Sequence, residues 1–99
     1  MATPQSPLPA TALGHAQLTV GATAVSLPDP PARTKRTLIR IVDEPVNWTD
    51  VDGEAPTSTT GMPLLPSESL VFDGDPNHFK LIRAAEAIND ADVRIAYYG

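Results

Sequence analysis

Turn-forming residues interrupt this chain of 99 residues about every ten positions, which limits its fold more than any other feature of the sequence. Pro28, Pro30 and Pro31 stop the segment Ala22 to Leu27, and Asp43, Glu44 and Pro45 follow Thr37 to Val42. Gly74, Asp75, Pro76 and Asn77 stand between Leu70 to Phe72 and Phe79 to Leu81. Proline lacks a backbone N–H and fixes φ, so no long helix or central strand passes through these points. The pieces left between them are rich in Val, Ile, Leu, Thr and aromatic residues and are short. They predict strands over 16–20, 22–27, 37–43, 46–51, 68–73, 78–84 and 92–98. Ala84 to Asp90 has room for one helical turn and no more. The expected fold is all-β: a small antiparallel β-sandwich or jelly-roll-like domain over residues 16–99.

Alternation within the segments assigns the core. Ile39 and Ile41 share one face, as do Val46 and Trp48, and as do Val93, Ile95 and Tyr97; Leu70, Phe72, Phe79 and Leu81 join them. Leu38, Arg40 and Val42 take the other face of their strand, whose apolar density suggests burial on much of both sides. Connections through sequence-adjacent hairpins are the default, so 37–43 should pair with 46–51, and Asp73 to His78 should be a hairpin turn. Gly61 to Pro66 reads as a loop capping one end of the core with Leu64 and Leu65.

Residues 1–15 behave differently. Pro4, Pro7 and Pro9 lie among Ala, Thr, Ser and Leu, with no basic region and no continuous apolar run, so the stretch predicts an extended N-terminal arm. It is uncharged, and Pro4, Pro7, Leu8, Pro9 and Leu13 are its candidate contacts with a partner groove. No Asp, Glu, Lys or Arg occurs before Asp29, after which Arg33, Lys35, Arg36 and Arg40 cluster. Arg33, Lys35 and Arg36 form a candidate basic patch for phosphate or for an acidic partner surface, with a solvated strand start as the plainer reading.

The composition bears on function class. With no Cys, disulfides, thiolate nucleophiles and Cys-bound zinc are excluded. A net charge of −5 argues against a general nucleic-acid binder. No apolar run approaches the ~18 residues that span a bilayer, so a soluble protein made in a cytoplasm is expected.

The segment Asp73 to His78 imitates a calcium loop at Asp73, Asp75 and Asn77 but has His78 and Ala84 where the loop needs Gly and Glu. Ser67, Ser69, His15 and His78 sit in no nucleophile elbow. Asp50, Asp52 and Glu54 beside Gly53 resemble paired carboxylates, but such acids on a loop are ordinarily solvated. Tyr98 alone is expected to present an outward ring. The sequence therefore points to no catalytic residues, no cofactor and no metal.

The order TKRTLIRIVDEPVNWTDV, a Ser/Thr-rich loop, TTGMPLLPSESLVFD and HFKLIRAAEAINDADVRIAYY resembles small β-sandwich proteins encoded among the structural genes of tailed bacteriophages. Arg33 to Arg36, Ile39 and Ile41, Gly61 to Ser69, and Asp92 to Ile95 carry the resemblance. That family often has Gly where this chain has Ser67, so a turn without a strongly positive φ is expected here. The resemblance implies a virion structural protein, a capsid decoration or cement protein on the capsid surface. Its partners would be the major capsid protein and neighbouring copies of itself, as a homo-oligomer for which a trimer is one fitting form. The alternative it leaves is a receptor- or glycan-binding module of a phage head or tail fibre.

Overall fold

The computed structural model describes residues 11–51 and 53–99. Eight strands follow one another: β1 (Ala12–Val20), β2 (Val25–Ser26), β3 (Arg36–Ile41), β4 (Val46–Thr49), β5 (Met62–Leu64), β6 (Ser69–Phe72), β7 (Lys80–Arg83) and β8 (Ala91–Tyr98). They form two antiparallel sheets, ordered β1-β8-β3-β6 and β2-β7-β4-β5. The pairs β1–β8, β2–β7, β3–β6 and β4–β5 are those of one long hairpin folded at the loop before β5. Rolling that hairpin so that β8 meets β3 and β7 meets β4 produces the jelly-roll wrap.

Alternation fills the space between the sheets as expected. Ile39, Ile41, Val93, Ile95 and Tyr97 point inward from the first sheet and meet Val46, Leu64, Phe79 and Leu81. Phe79 is fully buried, stacked on Trp48 at 5.0 Å between ring centroids and tilted against Phe72 at 4.9 Å. Burying such a side chain contributes roughly 1.5–3 kcal/mol, with more from the ring geometry. The Tyr97 hydroxyl donates to the Pro28 carbonyl at 2.7 Å, which anchors the crossing from β2 to β3. Burial, then the nearby charge of Asp29, pushes its phenol up to about 12.

The connections differ from the hairpin expectation. Only β4 and β5 pair as sequence neighbours; β3 and β4 lie in different sheets, as do β6 and β7. At the first corner, Val42 N–H donates to the Asp92 carbonyl and Asp43 Oδ1 accepts from Asp92 N–H, which ties the end of β3 to β8. Two residues later the Pro45 carbonyl accepts from Ala84 N–H and starts β4 on β7. At the second corner Asp75 Oδ1 accepts from Asn77 N–H and caps a short 3₁₀ turn, Pro76–His78, whose Pro76 is buried. Turn-forming residues thus mark the reversals correctly, but a corner between sheets and a hairpin use the same residue types.

Other expectations change in detail. β1 begins at Ala12, inside the span expected to be arm, because Thr11 and Gly99 exchange two backbone hydrogen bonds and Leu13 packs against the core. Leu13 is therefore part of the sandwich rather than an arm contact. Of 22–27, only Val25–Ser26 pairs as strand. Met62–Leu64, expected as a loop, is an edge strand on β4; Leu64 is buried while Leu65 is half exposed. Ser67 has φ 69, so the turn keeps the left-handed backbone that Gly ordinarily supplies. β3 is buried on one side only, with Arg40 exposed on the other.

Candidate functional site

The two outer faces of the sandwich are unlike. On the β2-β7-β4-β5 sheet, Asn47 and Ile82 are paired neighbours that point outward, yet each is only 8 % exposed. The cover is the loop after β4, which doubles back over them. Asn47 Nδ2 donates to the carbonyls of Thr57 and Ser58, both at 3.0 Å, and the Ser58 carbonyl also accepts from Ala85 N–H. Thr57 and Thr60 close the tip through two backbone hydrogen bonds and a hydroxyl pair. Gly61 lets the chain return at φ 121, where a Cβ would lie 3.1 Å from the Trp48 carbonyl oxygen.

The β1-β8-β3-β6 sheet has no such cover among the described residues. Its register places His15, Ala96, Leu38 and Val71 in one row across the four strands, and Gln17, Arg94, Arg40 and Ser69 in the next. Tyr98 and Arg36 pair in the row on the other side of Ala96 and Leu38. An apolar stripe is therefore flanked by three arginines, with Val71 57 % exposed. Two shallow hollows follow the stripe. One of about 550 Å³ runs between His15 and Tyr98; the other, about 190 Å³, lies among Arg36, Leu38, Val71 and Tyr98.

The arginines are not equivalent. Arg36 Nε meets Asp73 at 2.9 Å, and Arg94 makes a two-pronged bond to Asp92 at 3.0 Å for each contact. The hydrogen bond from Arg94 lowers the Asp92 carboxyl below the usual carboxylate range, and the same contact raises the already high value of Arg94. Among the described residues Arg40 donates to Ser69 Oγ at 3.2 Å and to no carboxylate, and it stands directly across from Arg94. Like charges in opposed positions of a sheet destabilise it; Asp92 offsets much of the Arg94 charge, while Arg40 has no carboxylate of its own among the described residues. An anionic group entering from outside would relieve that opposition.

The sequence-derived candidates distribute as follows. Arg36 belongs to this face, whereas Arg33 and Lys35 line a separate hollow of about 370 Å³ with Thr11, Leu13 and Gly99. Pro4, Pro7, Leu8, Pro9 and Asp52 lie outside the described residues. Ser69 and His15 sit on opposite edges of the sheet, about 14 Å apart by strand spacing, too far for a nucleophile and its base. Both Asp75 oxygens are engaged, by Asn77 and by His78 at 3.7 Å, within the turn itself. Tyr98 is the one aromatic ring on the open face.

Arg94 and its apposition to Arg40 were missed by sequence reasoning. Each lies between two inward apolar residues, Val93 and Ile95 or Ile39 and Ile41, so its outward direction was readable. That the two meet depends on β3 lying beside β8, which alternation does not encode. Comparison with family models, curated proteins and solved structures finds no match to this chain.

Proposed function

We propose that this chain is a virion structural protein of a tailed bacteriophage, a capsid decoration protein that docks through the open face of the β1-β8-β3-β6 sheet and acts without catalysis. The observation that carries the docking reading is Arg40, which has no carboxylate partner among the described residues, beside a stripe of half-buried Leu38 and Tyr98 and exposed Val71. Such a face suits a partner surface that offers carboxylates around an apolar centre. The assignment to a phage capsid rests on the sequence resemblance, and the jelly-roll wrap agrees with it at the level of fold analogy.

Four strands about 4.8 Å apart, of nine, eight, six and four residues, present roughly 400 Å², about half of what one partner buries in a standard interface. Docking of one copy is thus weak unless other segments add contacts, among them the Pro-rich stretch at 4–9. Binding that prefers the mature shell stabilises it by linkage.

The test adds purified protein to phage capsids that lack it and measures occupancy and the temperature of shell rupture. Saturable occupancy with a raised rupture temperature is expected, both lost in the Arg40→Glu, Arg94→Glu double variant. A protein that never associates with particles, or a double variant that decorates as well as the wild type, overturns the reading.

A further inference from the structure

We infer that the outer edge of β1 pairs with β1 of a second copy of this chain, antiparallel about a two-fold axis, to make one continuous eight-stranded sheet. A sheet edge is a row of unpaired N–H and C=O groups, and proteins ordinarily blunt it with charge, proline or brevity. Three of the four edges here are blunted. β2 has two residues, β5 has three and contains Pro63, and β6 has four and ends beside the Arg36–Asp73 ion pair. β1 has nine residues and contains no Pro, Asp, Glu, Lys or Arg. Among the described residues its strand backbone bonds only to β8, leaving the opposite edge open.

Charge selects a second copy as the occupant. Two chains of net charge −5 repel, and the stretch before Asp29 is the longest region of the chain with no Asp, Glu, Lys or Arg to oppose itself. A two-fold axis makes the contact self-complementary, which closes the assembly at two. The pleat then restricts the register. His15, Gln17 and Thr19 point outward and Ala16, Leu18 and Val20 inward, so facing residues must share parity. The irregularity between Ala12 and Gly14 excludes the start of the strand. An axis through Gln17 satisfies both conditions, setting Gln17 against its own copy and His15 against Thr19. The open faces of the two copies then join, which brings the area near 800 Å² and the docking of the previous section within the ordinary range. That last consequence rests on the docking reading; the pairing does not.

Light scattering on the full-length free protein is the test. The wild type is expected at about 21 kDa, twice the 10.5 kDa chain. Gln17→Lys and Gln17→Glu each set like charges face to face across the axis, so each alone should run as a monomer with an unchanged circular dichroism spectrum. Mixing the two variants should restore the dimer, which neither a folding defect nor a contact elsewhere would produce. A wild type that stays monomeric at its highest soluble concentration, a trimer, folded variants that remain dimeric, or a mixture that stays monomeric each overturns the proposal. Removal of residues 1–10 should leave the dimer intact, and its loss would assign the contact to that segment instead. Failure of the dimer leaves particle binding to be judged by capsid occupancy, and failure of particle binding leaves the dimer standing.

Discussion

The two sheets solve the same problem in opposite ways. Each has one face in the common core and one face outside, and each outer face carries apolar side chains. The β2-β7-β4-β5 sheet spends a loop on covering Ile82 and ties that loop down through Asn47. Among the described residues no loop covers Leu38, Val71 and Tyr98 on the β1-β8-β3-β6 sheet, where arginines border them. A chain of this size has few residues to spare for internal cover. The uncovered sheet is therefore the one to examine for partners, and the difference teaches that burial of an outer face marks where the chain is already satisfied.

The sharpest way to break this contrast is to lift the cover. Asn47→Ala removes two hydrogen bonds, while the Thr57 and Ser58 carbonyls keep the Thr60 and Ala85 N–H donors, and at about 0.5–1.5 kcal/mol for each bond should cost about 1–3 kcal/mol. Gly61→Ala forces a side chain into a left-handed backbone 3.1 Å from the Trp48 carbonyl and should cost about 2–3 kcal/mol. Denaturant midpoints give both values. Val71→Ser on the open face, at 57 % exposure, should change stability by less than about 0.5 kcal/mol. Equal losses on the two sheets would mean that the open face is as structural as the covered one.

How much of this was legible beforehand follows from what periodicity can carry. The inward positions of β3, β6 and β8 were readable because each apolar side chain has a polar or small neighbour to define a face. Sheet membership was not, because Asp43 to Pro45 has the composition of a hairpin turn, and only its bonds to Asp92 and Ala84 make it a corner. The cover on Ile82 was hidden for a related reason. The stretch Asp52 to Thr60 is polar enough to be any surface loop, and its side-chain tether at Thr57 and Ser58 is one amide, Asn47, inside what read as a strand. The three-arginine face was half visible: each Arg announced its direction, while their meeting waited on strand order.

A middle-sized effect separates the inside of β3 from its outside. Thr37 is fully buried and its hydroxyl has no hydrogen-bond partner among the described residues, which leaves a desolvation cost uncompensated by them. Thr37→Val keeps the shape and removes the orphan, so it should raise stability by about 1 kcal/mol in chemical denaturation. Capsid occupancy should be unchanged, since the side chain never reaches the open face. A fall in occupancy would show that the two sides of β3 are coupled through the backbone.

A small effect is the most diagnostic. Arg40 opposes Arg94 across β3 and β8, and its partner among the described residues is a serine hydroxyl. If the position served only folding, a neutral residue there would do better. Arg40→Gln removes the repulsion and keeps a hydrogen-bonding group beside Ser69, so stability should rise by roughly 0.2–1 kcal/mol. Docking should fall in the same variant, and the salt dependence of the remaining association should flatten as one charge contact is lost. A gain in stability accompanied by a loss of binding separates a functional cation from a structural one. Opposite signs in the two measurements would establish that the bare sheet keeps Arg40 at a cost to the fold, while a loss of stability with intact docking would return the residue to the scaffold.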